Sequence, residues 1–276
     1  MVRTILLTLG CLLLFACSQV PERVTDAPRR IVSLDYCADQ YVLKFADREN
    51  ILALSPDAEE RFSYMRAEAA GIPTVRPRTA DVLALQPDLV VRTYGGGHDI
   101  ADFMQQSGVP VIQIGFPQSI QEVREEVLRV GTELGKQIEA AELVASMDRR
   151  LKALADKPKP DHEVLYMTPA GVTAGEGTLV HELIVAAGLE NLQDRPGWNP
   201  LPLERLAYER PDMIAAAFFE SATNHIDNWS AARHPVAQAQ LRELPVVALE
   251  GSWTSCGGWF LLDAVEALAE PGKSAR

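Results

Sequence analysis

Residues 82–91 (VLALQPDLVV) run from a short helical pattern through a Pro-Asp pair into an apolar strand pattern, and residues 206–214 (LAYERPDMI) repeat this order. Each copy belongs to a longer series of segments. The first series is 30–34 (RIVSL), 46–51 (ADRENI), 82–91 and 108–114 (GVPVIQI), and the second is 164–167 (VLYM), 187–192 (AGLENL), 206–214 and 244–249 (LPVVAL). Two similar α/β units on one chain predict two lobes, and a cleft between lobes is a preferred place for a small ligand.

Strand patterns alternate with helical patterns within the first unit. We predict strands at 31–34, 51–54, 88–91 and 109–114, separated by a turn at 35–39 and by helices at 40–46, 79–85 and 100–107. Thr79 is a suitable N-cap for the second of these helices, and Pro87 follows its end. This alternation predicts parallel strands with crossover helices, so the expected fold class is α/β.

Residues 119–157 depart from the alternation. Ser119 can cap a helix, and apolar residues follow it at helical spacing, while Gly135 is a site for a local break. Two interpretations are open: two consecutive helices inside one domain, or one rigid helix that connects the lobes. The alternation resumes at Val164, directly after this stretch, and that favours the connecting helix.

The N-terminus has the pattern of an export signal. Arg3 supplies positive charge, and the apolar run at 5–15 is too short for a stable membrane anchor. Residues 14–17 (LFAC) resemble a lipobox in which Cys17 would be acylated, although Phe15 is bulky for that motif, and ordinary cleavage near Ser18 is the alternative. We therefore predict a signal peptide at 1–17, a flexible tether at 18–28 and a mature protein outside the cytoplasm.

Charge and motifs exclude several classes of function. A formal net charge of −12 without a basic run excludes nucleic acid as a partner. The chain has no G-x-x-x-x-G-K-[ST], G-x-S-x-G or H-E-x-x-H motif, and its five histidines form no closely spaced pair. We therefore predict no catalytic residue and no dedicated metal site.

Cys37 and Cys256 are the two cysteines that follow the predicted signal peptide, and they belong to opposite units. Outside the cytoplasm a disulfide is the usual state of such a pair, and it would tie the lobes together. Two other states are open at this point. Both thiols could face one ligand and coordinate a metal centre, or they could be unrelated buried thiols.

The ordered segments together resemble a known family. The two Pro-Asp phrases, residues 30–34 at the mature start, 173–175 (TAG), 187–192 and the predicted connecting helix are similar to the substrate-binding proteins of ABC importers for ferric siderophores, haem and cobalamin. The resemblance covers roughly residues 29–268. It implies two Rossmann-like lobes joined by a single long α-helix, as in class III periplasmic binding proteins, with an N-terminal lobe at 29–118, a connecting helix at 119–157 and a C-terminal lobe at 158–276.

In such folds ligands contact loops at the carboxyl ends of strands. Aromatic side chains in these loops suit a large flat ligand, and the arginines on either side of Pro77 suit carboxylates. Tyr94, Trp253 and Trp259 are the strongest candidates, because they lie in loops near glycines. The full set of predicted ligand-binding residues is Tyr36, Cys37, Arg76, Arg78, Tyr94, Phe116, Tyr166, Trp253, Cys256 and Trp259.

The resemblance also implies partners. The protein would hold no permanent cofactor and would act as a periplasmic monomer that delivers an iron chelate, haem or a corrinoid to an ABC permease with its ATPase subunits. It would touch the membrane only through a lipid anchor or through the permease. A glutamate on each lobe would meet the permease, and the candidates are Glu59, Glu60, Glu68, Glu190 and Glu204.

Two rival functions stay open on the sequence alone. An exported metal-dependent enzyme or metal-binding protein could use Cys37, Cys256 and His98 as ligands. A lipoprotein of purely structural role is the other. The missing catalytic motifs oppose the enzyme, and the aromatic loops in both units oppose a purely structural role.

Overall fold

The computed structural model describes residues 30–158, 161–217 and 230–271. The predicted signal peptide, its Cys17 and the tether at 18–28 lie outside these residues. Within the described ranges, no helix combines the length and the apolar character needed to cross a membrane.

The first lobe is built on a parallel sheet of four strands in the order β2-β1-β3-β4. The strands are β1 (Ile31–Ser33), β2 (Ile51–Ala53), β3 (Leu89–Arg92) and β4 (Val111–Gln113). The helices are α1 (Tyr36–Phe45), α2 (Arg66–Ala69), α3 (Thr79–Ala84) and α4 (Ile100–Gln106), with a 3-10 turn at Arg48–Asn50. Every residue of β1 and β3 is buried, as expected for central strands covered on both faces.

The second lobe repeats this sheet. Its strands are β5 (Glu163–Met167), β6 (Val172–Ala174), β7 (Glu190–Asn191), β8 (Trp198–Pro200), β9 (Met213–Ala217) and β10 (Val246–Leu249). The main sheet is parallel with the order β10-β9-β5-β7, so β7, β5, β9 and β10 correspond to the four strands of the first lobe in the same order. The repeat predicted from the sequence is therefore confirmed. The antiparallel pair β6 and β8 has no counterpart in the first lobe.

The helices of the second lobe are α7 (Leu179–Ala186), α8 (Leu203–Leu206), α9 (Pro235–Glu243), α10 (Gly251–Thr254) and α11 (Leu261–Ala269), with a 3-10 turn at Ala231–Arg233. Thr178 caps α7, since its side chain accepts the backbone N–H of His181.

The repeated Pro-Asp pair has the same role in both lobes. The Asp88 carboxylate accepts the backbone N–H of Arg30 at 3.1 Å, and the Asp212 carboxylate accepts the backbone N–H of Glu163 at 2.7 Å. The backbone N–H of each aspartate also donates to the carbonyl of the same partner residue. Each aspartate thus ties the start of one central strand to its neighbour, and this explains why the phrase occurs once in each unit.

The connecting segment corrects one prediction. Residues 119–157 form two helices, α5 (Ile120–Glu133) and α6 (Gln137–Ala155), because Gly135 adopts a left-handed φ of +76° between them. Ser119 caps the first helix as predicted. The break does not change the predicted two-lobed α/β fold, because one of the two helices, α6, continues into the second lobe. There Arg150 of α6 forms ion pairs with Asp263 and Glu266 of α11.

A C-terminal segment binds the lobes to each other. Trp259 packs edge-on against Tyr41 of α1, with ring centroids 5.6 Å apart. The Tyr41 hydroxyl donates to the carbonyl of Gly257 at 2.8 Å, and the Tyr64 hydroxyl donates to Asp263 at 2.9 Å. The second lobe therefore contacts the first through a continuous apolar and hydrogen-bonded surface as well as through α6.

Candidate ligand-binding cleft

A cavity of about 230 Å³ lies between the lobes at the carboxyl ends of the strands. In the first lobe its walls come from the start of α1 and from the loops after β3 and β4. In the second lobe they come from α7, β8, the loop after α10 and the first residue of α11. The lining residues are Tyr36, Cys37, Tyr41, Thr93, Tyr94, Ile114, Gly115, Phe116, Pro117, Gln118, Leu179, Val180, Leu183, Trp198, Thr254, Ser255, Cys256, Gly257 and Leu261.

Exposed aromatic rings surround this cavity. Tyr94, Trp198 and Phe116 keep 46%, 58% and 68% of their surface exposed, although large rings usually bury more. Tyr36 meets Tyr94 edge-on at 6.1 Å between centroids. Trp198 meets the buried ring of Tyr166 at 6.2 Å. Apolar rings on both lobes thus face a shared space, which suits a flat ligand with a large apolar surface.

No lining residue carries a charge: among the described residues, no lysine, arginine, aspartate, glutamate or histidine forms part of the cavity wall. Two hydroxyls, those of Thr93 and Thr254, are buried and have no hydrogen-bond partner among the residues described. One belongs to each lobe. The described part of the wall therefore offers apolar surface and neutral polar groups, and none of its side chains could pair with a charged ligand.

The buried Asp35 positions the loop that carries Tyr94. One carboxylate oxygen accepts the backbone N–H groups of Thr93, Tyr94 and Gly95 at 2.7, 3.0 and 2.9 Å. The other oxygen accepts the N–H of Ala38 at 3.0 Å and caps α1. Residues 35–39, predicted as a turn, are therefore the cap and the first turn of this helix, since the carboxylate satisfies a free N–H at its start.

Arg92 is buried beneath the same loop. Its guanidinium donates to the carbonyls of Gly95 and Gly97 and to the side chain of Gln113, at 2.9 to 3.0 Å. These three hydrogen bonds lie inside the first lobe, where those to Gly95 and Gly97 hold the glycine loop at 95–97.

Cys37 and Cys256 form a disulfide bond, with their Cα atoms 5.5 Å apart. Both residues line the cavity. The structure therefore places the bond in the wall of the cleft, where it joins the first turn of α1 to the loop after α10. Two free thiols facing one ligand are not the arrangement seen.

Burial raises the pKa of the Tyr36 and Tyr94 hydroxyls above the ordinary tyrosine value, and the negative charge of Asp35 adds to the effect at both residues. Both phenols are consequently neutral at physiological pH. They offer the cavity hydrogen bonds and ring faces and contribute no negative charge.

Half of the predicted ligand-binding residues do line the cavity: Tyr36, Cys37, Tyr94, Phe116 and Cys256. The other half do not. Trp259 is buried between the lobes against Tyr41, and Tyr166 is buried on β5 beneath Trp198. Trp253 packs on the main core, while Arg76 and Arg78 are exposed on the segment before α3.

Several lining residues were not predicted. Leu179, Val180 and Leu183 belong to α7, whose apolar face looks like ordinary core in the sequence. Trp198 did carry a signal that could have found it, because it stands between Gly197 and Asn199 in a turn-rich stretch. Its strand was missed because a three-residue edge strand has too few positions to show alternation.

The three residues considered as ligands for a metal-dependent enzyme do not form a metal site. Cys37 and Cys256 are bonded to each other, and the side chain of His98 is 98% exposed outside the cavity wall. In the described part of the chain, no cluster of three or more histidine, cysteine, aspartate or glutamate side chains could hold a metal ion.

Comparison with known proteins identifies the family. A sequence model described as periplasmic binding protein matches residues 31–225. The chain belongs to the periplasmic binding protein family. The resemblance found in the sequence is thereby confirmed, and so is the predicted periplasmic location, since the family is periplasmic.

Two curated family members are similar in sequence. A cobalamin-binding protein of Halobacterium salinarum is 29% identical over 201 residues, which cover 68% of this chain and 53% of the relative. The match thus spans about half the length of that relative. The uncharacterized substrate-binding lipoprotein YvrC of an ABC transporter of Bacillus subtilis is 23% identical over 261 residues, covering 90% of this chain and 81% of the relative.

Solved structures of the family share the fold. The periplasmic haem-binding protein HutB of Vibrio cholerae superposes with a TM-score of 0.70 over 87% of this chain and 97% of that chain, at 20% identity. This similarity confirms the two-lobed architecture of class III periplasmic binding proteins.

Proposed function

We propose that this protein is the substrate-binding component of an ABC importer, and that it captures a corrinoid such as cobalamin in the cleft between its lobes. The observation that carries this proposal is the aromatic lining of the cavity, in which no residue that the structure describes is charged. The proposed role is capture and delivery without chemical change of the ligand. ATP hydrolysis belongs to partner subunits.

The lining favours a corrinoid over haem and over ferric catecholates. Haem carries propionates and ferric catecholates are anionic, so both need a cation nearby when buried. Cobalamin carries mainly neutral amides, which need no cation when buried and can bond to neutral groups of the wall such as the phenols of Tyr36 and Tyr94. Arg76 and Arg78, predicted from the sequence as partners of carboxylates, are exposed and do not line the cavity. The similarity to a cobalamin-binding relative supports the same choice.

The cavity volume of about 230 Å³ is smaller than the ~300–1,000 Å³ of usual ligand sites. A corrinoid would therefore fill the cavity with one part and lie between the exposed rings of Tyr94, Phe116 and Trp198 with the rest. The contacts between the lobes and the disulfide restrict the opening to a small adjustment.

Docking on a permease requires acidic residues on the face that contains the cleft. Glu204 on α8 is exposed and stays a candidate on the second lobe. Glu190 does not fit, since it pairs with the first residue of β5 at the amino edge of the sheet, opposite the cleft. On the first lobe Glu59, Glu60 and Glu68 are exposed and stay candidates. We further propose that the mature protein acts as a monomer, anchored through Cys17.

Calorimetric titration with cyanocobalamin, haemin and a ferric tricatecholate tests the proposal. We expect a sub-micromolar Kd for cyanocobalamin and at least about tenfold weaker binding of the two anionic ligands, equal to about 1.4 kcal/mol. Tighter binding of haemin would overturn the choice of ligand. Failure of cyanocobalamin to bind would overturn the proposed function.

A further inference from the structure

Asp35 has more hydrogen-bond partners than a helix cap requires. Capping α1 uses one carboxylate oxygen, through Ala38. The other oxygen accepts three consecutive backbone N–H groups, from Thr93, Tyr94 and Gly95, which lie 58 to 60 residues away in the chain. The side chain itself is only 3% exposed. A buried carboxylate thus joins the two segments that supply the aromatic corner of the cavity.

We propose that Asp35 is a positioning residue of the ligand site, which fixes the Tyr94 loop against α1 so that the Tyr36–Tyr94 corner exists before the ligand arrives. This inference rests on the proposed function. Asp35 does not line the cavity, so it acts on the ligand only through the residues that it holds.

The loop is held between two surfaces. On one side Gly95 lies against Leu34, the residue that follows β1, where a Cβ atom would come within 2.2 Å of the Leu34 carbonyl oxygen. On the other side one Asp35 oxygen accepts three backbone N–H groups of the loop. The side chain of Tyr94, by contrast, is 46% exposed, and it meets Tyr36 through an edge-on ring contact and a side-chain hydrogen bond. Without the carboxylate, the N–H groups of Thr93, Tyr94 and Gly95 would lose their shared acceptor, and Arg92 would hold the loop only through the carbonyls of Gly95 and Gly97. The ligand would then have to order the segment at Tyr94 on binding.

An asparagine cannot replace Asp35 fully. Its amide has one acceptor oxygen, so either the three loop N–H groups or the helix cap would face a donor NH₂ group. A serine separates the two roles, because its hydroxyl can cap α1 but is too short to reach the loop as well. The pair Asp35→Asn and Asp35→Ser therefore distinguishes a positioning role from simple helix capping.

Asp39 supplies the matched control. It is also a buried carboxylate on α1, and it binds a loop through the backbone N–H and hydroxyl of Ser55, at 3.1 and 2.6 Å. Neither Asp39 nor Ser55 lines the cavity. Asp39→Asn thus removes a buried charge from the same helix without touching the Tyr94 loop.

The test is titration of wild type and the three variants with cyanocobalamin, at a temperature where each is folded. We expect Asp35→Asn and Asp35→Ser to raise the Kd at least about tenfold, and Asp39→Asn to leave it within about twofold. Wild-type affinity in Asp35→Ser would show that only the cap matters. An equal loss in Asp39→Asn would show a general effect of destabilisation. Either result would overturn the proposal.

A second measurement needs no ligand. Amide hydrogen exchange of residues 93–95 should be at least about tenfold faster in Asp35→Asn than in wild type, and unchanged in Asp39→Asn. Unchanged protection of residues 93–95 in Asp35→Asn would contradict the positioning role even if cyanocobalamin proved to be the wrong ligand. Failure of wild type to bind, with the expected exchange pattern, would contradict only the proposed function.

Discussion

Replacement of Cys37 and Cys256 by serine is expected to lower the free energy of unfolding by about 3–5 kcal/mol. The disulfide joins residues 219 positions apart, so it removes much of the conformational freedom of the unfolded chain. It also joins helix α1 of the first lobe to the loop after α10 of the second. Urea denaturation of the double variant and of wild type under oxidising conditions measures the difference.

A reductant provides the control for this experiment. It should shift the midpoint of wild type toward that of the double variant, and it should leave the double variant unchanged. Coincident midpoints of the two oxidised proteins would contradict the account, because they would mean that the bond does not hold the lobes in solution. The packing of Trp259 between the lobes predicts that the double variant still folds.

Truncation of either exposed ring beside the cavity is expected to cost at least about 2 kcal/mol of binding free energy, or roughly a 30-fold rise in Kd for cyanocobalamin. The variants are Tyr94→Ala in the first lobe and Trp198→Ala in the second. These rings are already exposed, so their removal leaves the core intact and stability should change little. Calorimetric titration and thermal unfolding together separate the two effects.

Tyr208→Ala is the matched control for the ring variants. Tyr208 is also an exposed aromatic residue of the second lobe, at 92% exposure, but it lies outside the cavity wall. Its removal should leave the Kd unchanged. Retained affinity in both ring variants would contradict the assignment of the cleft as the binding site.

The pH dependence of stability should depend on Asp39. Burial raises the pKa of its carboxyl from 3.8 to about 6 in the folded state. Because the folded value lies above the unfolded one, the folded protein holds the proton more tightly, and this stabilisation is complete below pH 4 and lost as pH rises through 6. The stability of wild type relative to Asp39→Asn should fall by up to about 3 kcal/mol from pH 4 to 7. A pH-independent difference would contradict this role.

The sequence predicted what depends on local pattern. The apolar strands and the Pro-Asp phrases predicted two equivalent sheets. The structure shows why the phrases were informative: Asp88 and Asp212 make the same backbone contacts in their lobes. The capping residue Ser119 and the break at Gly135 were also visible, because helix ends depend on side chains close in sequence. The choice of one uninterrupted helix was wrong, since the left-handed glycine outweighed the helical spacing on either side.

The cavity wall could be predicted only in part, because it depends on contacts between distant segments. Trp259 lies near glycines, as a cleft residue would, yet it is the residue that fills the space between Tyr41 and Phe45. Asp35 stands in the predicted turn after the first strand, and its carboxylate faces the N–H groups of the Tyr94 loop, 58 and more residues away in the chain. The sequence does not show in which direction the side chains of Trp259 and Asp35 point.

Titration of intrinsic tryptophan fluorescence with cyanocobalamin, in wild type and in Trp198→Phe, shows directly whether a corrinoid binds in the cleft beside Trp198. Trp198 is the tryptophan that lines the cavity among the described residues, and a coloured corrinoid beside it should quench its emission. We expect saturable, sub-micromolar quenching in wild type. In the variant we expect a similar affinity, but the quenched fraction of the tryptophan emission should be markedly smaller. Quenching that is not saturable, or that is unchanged in the variant, would contradict binding of a corrinoid in the cleft between the lobes.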